Sequence, residues 1–100
     1  MARNDAVKRV DDEFVLSKRR GKLREEVWET ADGKVVKYNL AYINPRMCGV
    51  DNGRVLGYDN SHGHHHRHYM GAVEAFEFTT FEALQERFQK EVRELLEEGR

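Results

Sequence analysis

All five histidines of this chain lie within seven consecutive positions, and this segment is where the sequence could do chemistry. They are His62, His64, His65, His66 and His68, in the stretch YDNSHGHHHRHYMG that runs from Tyr58 to Gly71. An unperturbed imidazole titrates near pH 6.5, so each ring can serve as proton donor, proton acceptor, cation or metal ligand at neutral pH. Arg67 lies among the histidines, Asp59 precedes them, and Tyr58 and Tyr69 flank them. We therefore take this segment as the candidate site.

These residue types suit the cleavage of RNA without a metal. The reaction needs a base for the 2′-hydroxyl proton, an acid for the leaving 5′-oxygen and a cation for the charge on the phosphorane. Histidines with a pKa near neutrality suit the first two roles, and an arginine fork suits the third. A tyrosine can assist as an acid or stack on an unpaired base.

Metal binding is an alternative for the same histidines. Side chains on one face of a strand are about 6.6 Å apart at Cα, which lets two imidazoles share one Zn²⁺ or Ni²⁺. Known structural zinc sites use cysteines or helix-spaced histidines, however, and neither pattern occurs here, while Asp59 is the one carboxylate nearby. We predict no metal site and no cofactor. Any binding of nickel or zinc by these histidines would be adventitious.

The composition indicates one rather polar globular domain over residues 1–100, with 39% apolar and 35% charged side chains. The net charge is +3 over residues 1–71 and −4 over residues 72–100, so the histidine-bearing part could meet an anion. A sequence-general DNA binder would be more basic. No apolar run approaches the ~20 residues of a membrane span, and the N-terminus lacks the apolar stretch of a secretory signal. We therefore expect a cytoplasmic location. The one cysteine, Cys48, is expected to be a small buried side chain.

Turn signals divide residues 10–71 into an antiparallel meander of four to five strands. Asp32-Gly33 joins Leu23–Thr30 to Lys34–Ile43, and Asp-Gly is a strong hairpin signal. Asn52-Gly53 suits a type I′ turn between Met47–Val50 and Arg54–Tyr58. The turn Asp59–Gly63 then leads into His64–Met70 as the next strand, and a first short strand is predicted around Phe14, after a frayed segment 1–9.

Residues 79–98 predict an α-helix. The apolar side chains that recur at helical spacing are Phe81, Leu84, Phe88, Val92 and Leu95. Thr79 with Glu82 forms a capping-box signature, and Gly99 suits the helix end. The apolar stripe must cover a sheet face, and the strand with Tyr38, Leu40 and Tyr42 offers one. We predict an α+β fold with the helix on one face of the sheet and the other face open.

Alternation divides the histidines between the two faces of this sheet. A strand from His64 to Met70 would place His64, His66, His68 and Met70 on one face and His65, Arg67 and Tyr69 on the other. Met70 would then bring three histidines toward the core, so we expect a bulge, or a strand that begins after His64. In either case two or more imidazoles should lie open beside the Asp59–Gly63 turn.

The string Tyr-Asp-Asn (58–60), Ser-His-Gly (61–63) and His-His-Arg-His (65–68), followed by an amphipathic helix, resembles the TumE-type toxins of prokaryotic toxin–antitoxin systems. The resemblance implies a toxin with ribonuclease activity and a helix-turn-helix antitoxin as partner. Carried over by position, it favours Asp59, His62, His65, His66, Arg67 and His68 as site residues. The chain departs from the family pattern in being richer in histidine around residues 64–66.

We predict His66 and His68 as the acid–base pair, with His65 also in the catalytic set and Arg67 as the phosphate anchor. Asp59, His62, Tyr58 and Tyr69 are predicted to orient or bind the substrate, which we expect to be single-stranded RNA. No membrane association is expected, and a homodimer is left open. Two alternatives also remain: a non-catalytic interaction or nucleic-acid-binding module with structural histidines, and a histidine-based metal-binding protein.

Overall fold

The computed structural model describes residues 6–98 of the chain. One antiparallel sheet, with its strands in chain order, is followed by a helix. The elements are β1 (Val7–Ser17), β2 (Gly21–Glu29), β3 (Val35–Ile43), β4 (Arg54–Asp59), β5 (His66–Tyr69), β6 (Ala72–Ala75) and α1 (Phe81–Glu98). The predicted α+β meander is confirmed, with six strands where four to five were expected.

The hairpin predicted at Asp32-Gly33 joins β2 to β3. Gly33 has φ of +87°, and its N–H donates to the Thr30 carbonyl at 2.9 Å. The first strand is longer than the sequence suggested, because β1 begins at Val7 and pairs with β2 along its length. Residues 1–5 of the segment predicted to be frayed lie outside the described residues.

The strand that sequence reasoning missed is β6. Tyr69 pairs with Ala72 across Met70 and Gly71, whose φ values of 49° and 89° match a two-residue type I′ turn. Methionine is unusual in the left-handed conformation, so the sequence carries no usual turn signature here. An unbroken strand from His64 to Met70 would direct Met70 toward the core, whereas the turn leaves it 44% exposed.

The segment Met47–Val50, predicted as a strand, is a loop. The carbonyl of Asn44 accepts hydrogen bonds from the N–H groups of Met47 and Cys48, at 2.9 and 3.1 Å. These turn bonds use backbone groups that a strand would offer to a neighbouring strand. The Asn52-Gly53 turn therefore leads from a loop into β4 and does not join two strands.

Helix α1 packs on β3 and β4 and closes the core. Its buried residues are Leu84, Phe88, Val92 and Leu95, four of the five predicted positions. Cys48 is buried in the same core, as predicted. The helix is capped by Thr80, whose Oγ1 accepts a hydrogen bond from the Ala83 N–H at 3.1 Å, one residue after the predicted cap. The predicted end at Gly99 lies outside the described residues.

The sheet therefore has two unlike faces. We call the side covered by α1 the helix face; it carries the buried side chains of Tyr38, Leu40, Tyr42 and Tyr58. We call the opposite side the open face; the paired residues Asn39, Asp59 and His66 lie on it in a row across β3, β4 and β5.

Candidate active site

The start of β5 decides how the histidines are divided. The strand begins at His66, two residues after His64, which is one of the two outcomes that the sequence predicted. His66 pairs with Asp59 and His68 pairs with Gly57, so both imidazoles share the open face with the Asp59 carboxylate. His65 and Arg67 point to the helix face. A shift of one residue at the strand start would exchange the two sets.

On the open face His68 is held between a carboxylate and a guanidinium. Its Nε2 is 2.9 Å from Asp59 Oδ2, and its Nδ1 is 3.0 Å from Arg54 Nη2. A guanidinium only donates hydrogen bonds, so Nδ1 must be the acceptor and the ring proton must lie on Nε2. His68 is thus the neutral tautomer that donates to Asp59. The side chains of His68 and Asp59 are only 13% and 11% exposed, so this geometry is well enclosed.

His66 and Asp59 complete the group. His66 Nδ1 is 3.9 Å from Asp59 Oδ1, and that oxygen also accepts the backbone N–H of Ser61 at 3.1 Å. The ring centroid of His66 is 6.3 Å from that of His68 and 5.9 Å from that of His64. The other nitrogen of His66, Nε2, forms no hydrogen bond among residues 6–98. His66 is therefore the imidazole of this group with a nitrogen available to a ligand.

Arg54 is the site residue that sequence reasoning missed. Its Nε and Nη2 donate to the Asp51 carboxylate at 2.8 and 3.2 Å, and its Nη1 lies 3.7 Å from Asp59 Oδ2. The side chain crosses the open face directly over Gly57, where an added Cβ would come within 2.6 Å of Arg54 Cδ. A glycine inside a strand often marks such a close approach, and this was the available signal.

Arg67 lies on the helix face and is already paired. Its Nη2 donates to Glu91 Oε2 at 3.1 Å, its Nε to the Tyr58 hydroxyl at 3.0 Å, and its Nη1 to Glu74 at 3.2 Å. The Tyr58 hydroxyl in turn donates to Glu91 Oε1 at 2.6 Å. Burial, reinforced by Glu91, raises the pKa of Tyr58 to about 12. This network joins β4, β5 and α1 and is on the opposite side of the sheet from Asp59.

His65 is also part of the packing on the helix face. Its ring stacks on Phe78, with centroids 4.3 Å apart and planes 3° from parallel. Its Nδ1 is 2.8 Å from the Tyr38 hydroxyl. Burial raises the pKa of Tyr38, so that hydroxyl keeps its proton and donates to the ring. Burial lowers the pKa of His65, and the nearby His66 lowers it further.

His65 should therefore make the protein less stable in mild acid. In the unfolded chain its pKa is near 6.5, and the folded value is lower, so below about pH 6.5 the unfolded chain binds the proton first. Stability gained from the neutral ring is complete above that pH and is lost as the pH falls toward the folded value. We expect His65→Phe to show a smaller drop in the free energy of unfolding between pH 7.5 and pH 5.5 than the wild type, measured by urea denaturation.

His64→Phe is the matched control for this prediction, because His64 is exposed on the chain next to His65. It should keep the pH dependence of the wild type. An unchanged pH dependence in His65→Phe would contradict the prediction, whatever the effect of that substitution on stability at pH 7.5.

The other two predicted residues lie at the margins of the site. His62 has φ of 62° in the turn between β4 and β5, and it lines an open cleft of about 580 Å³ with Lys37 and Asn60. Tyr69 is 39% exposed at the end of β5, and the Arg67 guanidinium lies 5.2 Å from its ring centroid. The eight predicted residues are thus not one cluster: the structure brings together Asp59, His66 and His68 and separates them from His65, Arg67 and Tyr58.

Asp59 with His66 and His68 is the closest arrangement to a set of metal ligands. Within residues 6–98, however, no group of three or more histidine, cysteine, aspartate or glutamate side chains could hold a metal ion. The group as observed consists of proton donors and acceptors around one carboxylate. No helix of the described chain is long and apolar enough to cross a membrane.

The fold and this group define a small α+β protein with an enclosed carboxylate–histidine–arginine array on an open sheet face. A sequence model of the family described as Toxin TumE matches residues 5–96. The match covers nearly the whole chain, and the chain therefore belongs to the TumE toxin family, whose members are toxins of toxin–antitoxin systems. Comparison with curated proteins and with solved structures gave no match.

Proposed function

We propose that this toxin is a metal-independent endoribonuclease that cleaves single-stranded RNA on its open sheet face. The observation that carries the proposal is the array in which Asp59 and Arg54 hold His68, with His66 beside it. Acid–base chemistry needs two titratable groups near one another and a cation, and this face offers all three. The RNA substrate implies action in the cytoplasm.

The base in this proposal is His68. A phosphate of the substrate competes with Nδ1 for the Arg54 guanidinium, and Nδ1 then becomes free to accept the 2′-hydroxyl proton. Asp59 remains on Nε2, where it fixes the tautomer and stabilises the imidazolium that forms, the role that a carboxylate has beside a catalytic histidine in general. The 2′-oxygen attacks phosphorus as this proton leaves.

The acid in this proposal is His66. In its protonated form it gives its proton to the 5′-oxygen as the bond from that oxygen to phosphorus breaks. Each such proton transfer contributes typically ~10²–10⁴-fold in rate. Asp51 and Asp59 carry one more negative charge than Arg54 offsets. Protonated His66 would bring the formal charge of these four groups to zero, so the phosphate would not meet a net negative group.

The phosphate anchor in this proposal is Arg54 and not Arg67. Arg67 lies on the helix face, where Glu91 of α1 and Glu74 of β6 already neutralise it. The Nη1 group of Arg54 forms no hydrogen bond among the described residues, so its two N–H groups are available to a phosphate oxygen. For the partner we propose a helix-turn-helix antitoxin, which is what the resemblance of the sequence to the family implies.

The test is cleavage of a single-stranded RNA oligonucleotide in the presence of EDTA. We expect products with 2′,3′-cyclic phosphate and 5′-hydroxyl ends, identified by mass spectrometry. An otherwise identical oligonucleotide with a 2′-deoxy residue at the cleaved position should resist, because it lacks the nucleophile. Loss of cleavage in EDTA, restored by a divalent metal, would contradict the mechanism. Absence of cleavage under all conditions, with intact binding to an antitoxin, would favour a non-catalytic interaction module.

A further inference from the structure

Trp28, the one tryptophan of the chain, lies on the open face and not in the core. It pairs with Lys37 of β3, while Glu26, two residues before it, pairs with Asn39 and bonds to it at 2.8 Å. Asn39 in turn pairs with Asp59, and Asp59 with His66. The register therefore places Trp28 on the same face as the proposed catalytic group, three strands away.

Two lysines flank the indole ring. Lys8 Nζ is 5.1 Å and Lys37 Nζ is 4.6 Å from the ring centroid. Lys8 is neutralised by Glu26 and Asp11, at 2.6 and 3.2 Å. Lys37 forms no ion pair within residues 6–98, and over the same range the indole N–H forms no hydrogen bond. The Trp28 ring, whose N–H group forms no hydrogen bond in this part of the chain, thus lies beside an ammonium group that has no ion-pair partner there.

Lys37 also lines an open cleft of about 580 Å³ at this end of the sheet, together with His62 and the turn that leads from β4 to β5. A strand spacing of ~4.8 Å and a rise of ~3.3 Å per residue put Trp28 about 16 Å from His66. An extended single strand covers that distance with a few nucleotides.

We propose that Trp28 and Lys37 form a subsite for an unpaired nucleobase and its phosphate, a few nucleotides from the phosphodiester that is cut. Aromatic side chains next to cations are the general means of binding single-stranded nucleic acid, because every base has a face on which to stack. A cross-strand pairing of lysine with tryptophan would by itself stabilise the sheet, but it does not require the free indole N–H or the unpaired Lys37. This inference rests on the proposed function, since it names where the RNA of that reaction is held.

The one tryptophan makes its own fluorescence a direct measure of this subsite. We would titrate His66→Ala protein, which is expected to bind without cutting, with a single-stranded RNA oligonucleotide. Stacking should quench the fluorescence in a saturable way. A duplex RNA of the same length and heparin should quench far less, because neither offers an unpaired base. Equal quenching by heparin or duplex RNA, or none by single-stranded RNA, would overturn the inference.

Substitutions test the two residues separately, with affinity measured by anisotropy of a labelled oligonucleotide. Trp28→Ala should weaken binding about 10-fold, within the 1–3 kcal/mol that base stacking contributes, and Trp28→Phe should restore most of it. Lys37→Gln should lower the salt slope of the binding constant by about 0.7, the value for one phosphate contact on a single strand. Circular dichroism would confirm that the variants fold. Unchanged affinity in both Trp28→Ala and Lys37→Gln would overturn the inference.

The outcomes also separate this inference from the proposed ribonuclease activity. RNA cleavage by the wild type without a change in tryptophan fluorescence or an effect of Trp28→Ala would leave the activity in place and remove the subsite. Saturable quenching by single-stranded RNA, with no cleavage by the wild type, would support the subsite and contradict the activity.

Discussion

Replacing His66 by alanine should reduce RNA cleavage by about 10²–10⁴-fold and remove growth inhibition, because it takes away the proposed acid. The fold should survive, since the ring lies on the open face with one of its nitrogens unbonded among the described residues, and its nearest carboxylate is 3.9 Å away. The measurements are the rate of cleavage, growth of cells that express the variant, and thermal denaturation.

His68→Ala should cause a loss of the same order through the base. His64→Ala is the matched control: it removes an imidazole whose ring lies 5.9 Å from that of His66 but which has no contact with Asp59 among the described residues. It should change the rate little. Retained toxicity in His66→Ala and His68→Ala, singly and combined, would contradict the assignment. An equal loss in His64→Ala would show that total positive charge matters and not these two positions.

The second large effect is expected from substitution of the two arginines: one substitution should remove activity and the other should lower stability. Arg54→Ala should abolish cleavage while costing only about 1 kcal/mol of stability, because its ion pair with Asp51 is a local one, three residues apart, that joins no two elements of the fold. Arg67→Ala should lower the free energy of unfolding by about 2 kcal/mol, because it removes hydrogen bonds to Glu91 and Tyr58 that tie α1 to the sheet. For a chain of this length that corresponds to a fall in melting temperature of roughly 10 °C.

At a temperature where Arg67→Ala is folded, it should still cleave RNA. Arg54→Lys is the conservative control and should recover only part of the activity, since an ammonium lacks the planar fork that can bind Asp51 and a phosphate oxygen together. Gly57→Ala offers a second approach, because its Cβ would displace the Arg54 side chain without removing any charge. Full activity in Arg54→Ala, with loss of activity in folded Arg67→Ala, would return the anchor role to Arg67.

Local signals were sufficient for most of the fold. The hairpin at Asp32-Gly33 and the helical stripe ending at Leu95 depend on residues close together in sequence, and both were predicted correctly. The turn at Met70-Gly71 was missed because a methionine occupies a left-handed position that the surrounding sheet imposes. Without that turn β6 has no visible start, and Met70 looks like a core residue.

The sequence indicated which residue types form the candidate site, but not which of these side chains lie on each face of the sheet. His65 and His66 are identical side chains, and only the point at which β5 begins assigns one to the core and the other to the open face. The sequence could not show which arginine is free to bind phosphate either. Glu91, which accepts a hydrogen bond from Arg67, is 24 residues away in the chain and contacts it only because α1 packs on the sheet. Arg54 reaches His68 because the pairing of β3 with β4 shifts register next to it and Gly57 leaves room.

The order of the strands in the sheet has a consequence for folding during synthesis. Each strand pairs with its neighbour in the chain, so the hairpins close short loops and can form quickly, one after another, as the chain leaves the ribosome. Helix α1 follows all six of these strands in the chain, and its Glu91 accepts a hydrogen bond from Tyr58 across 33 positions. We expect the nascent chain to remain harmless until its C-terminal helix emerges and packs. On this expectation an antitoxin is needed only once α1 has packed on the sheet.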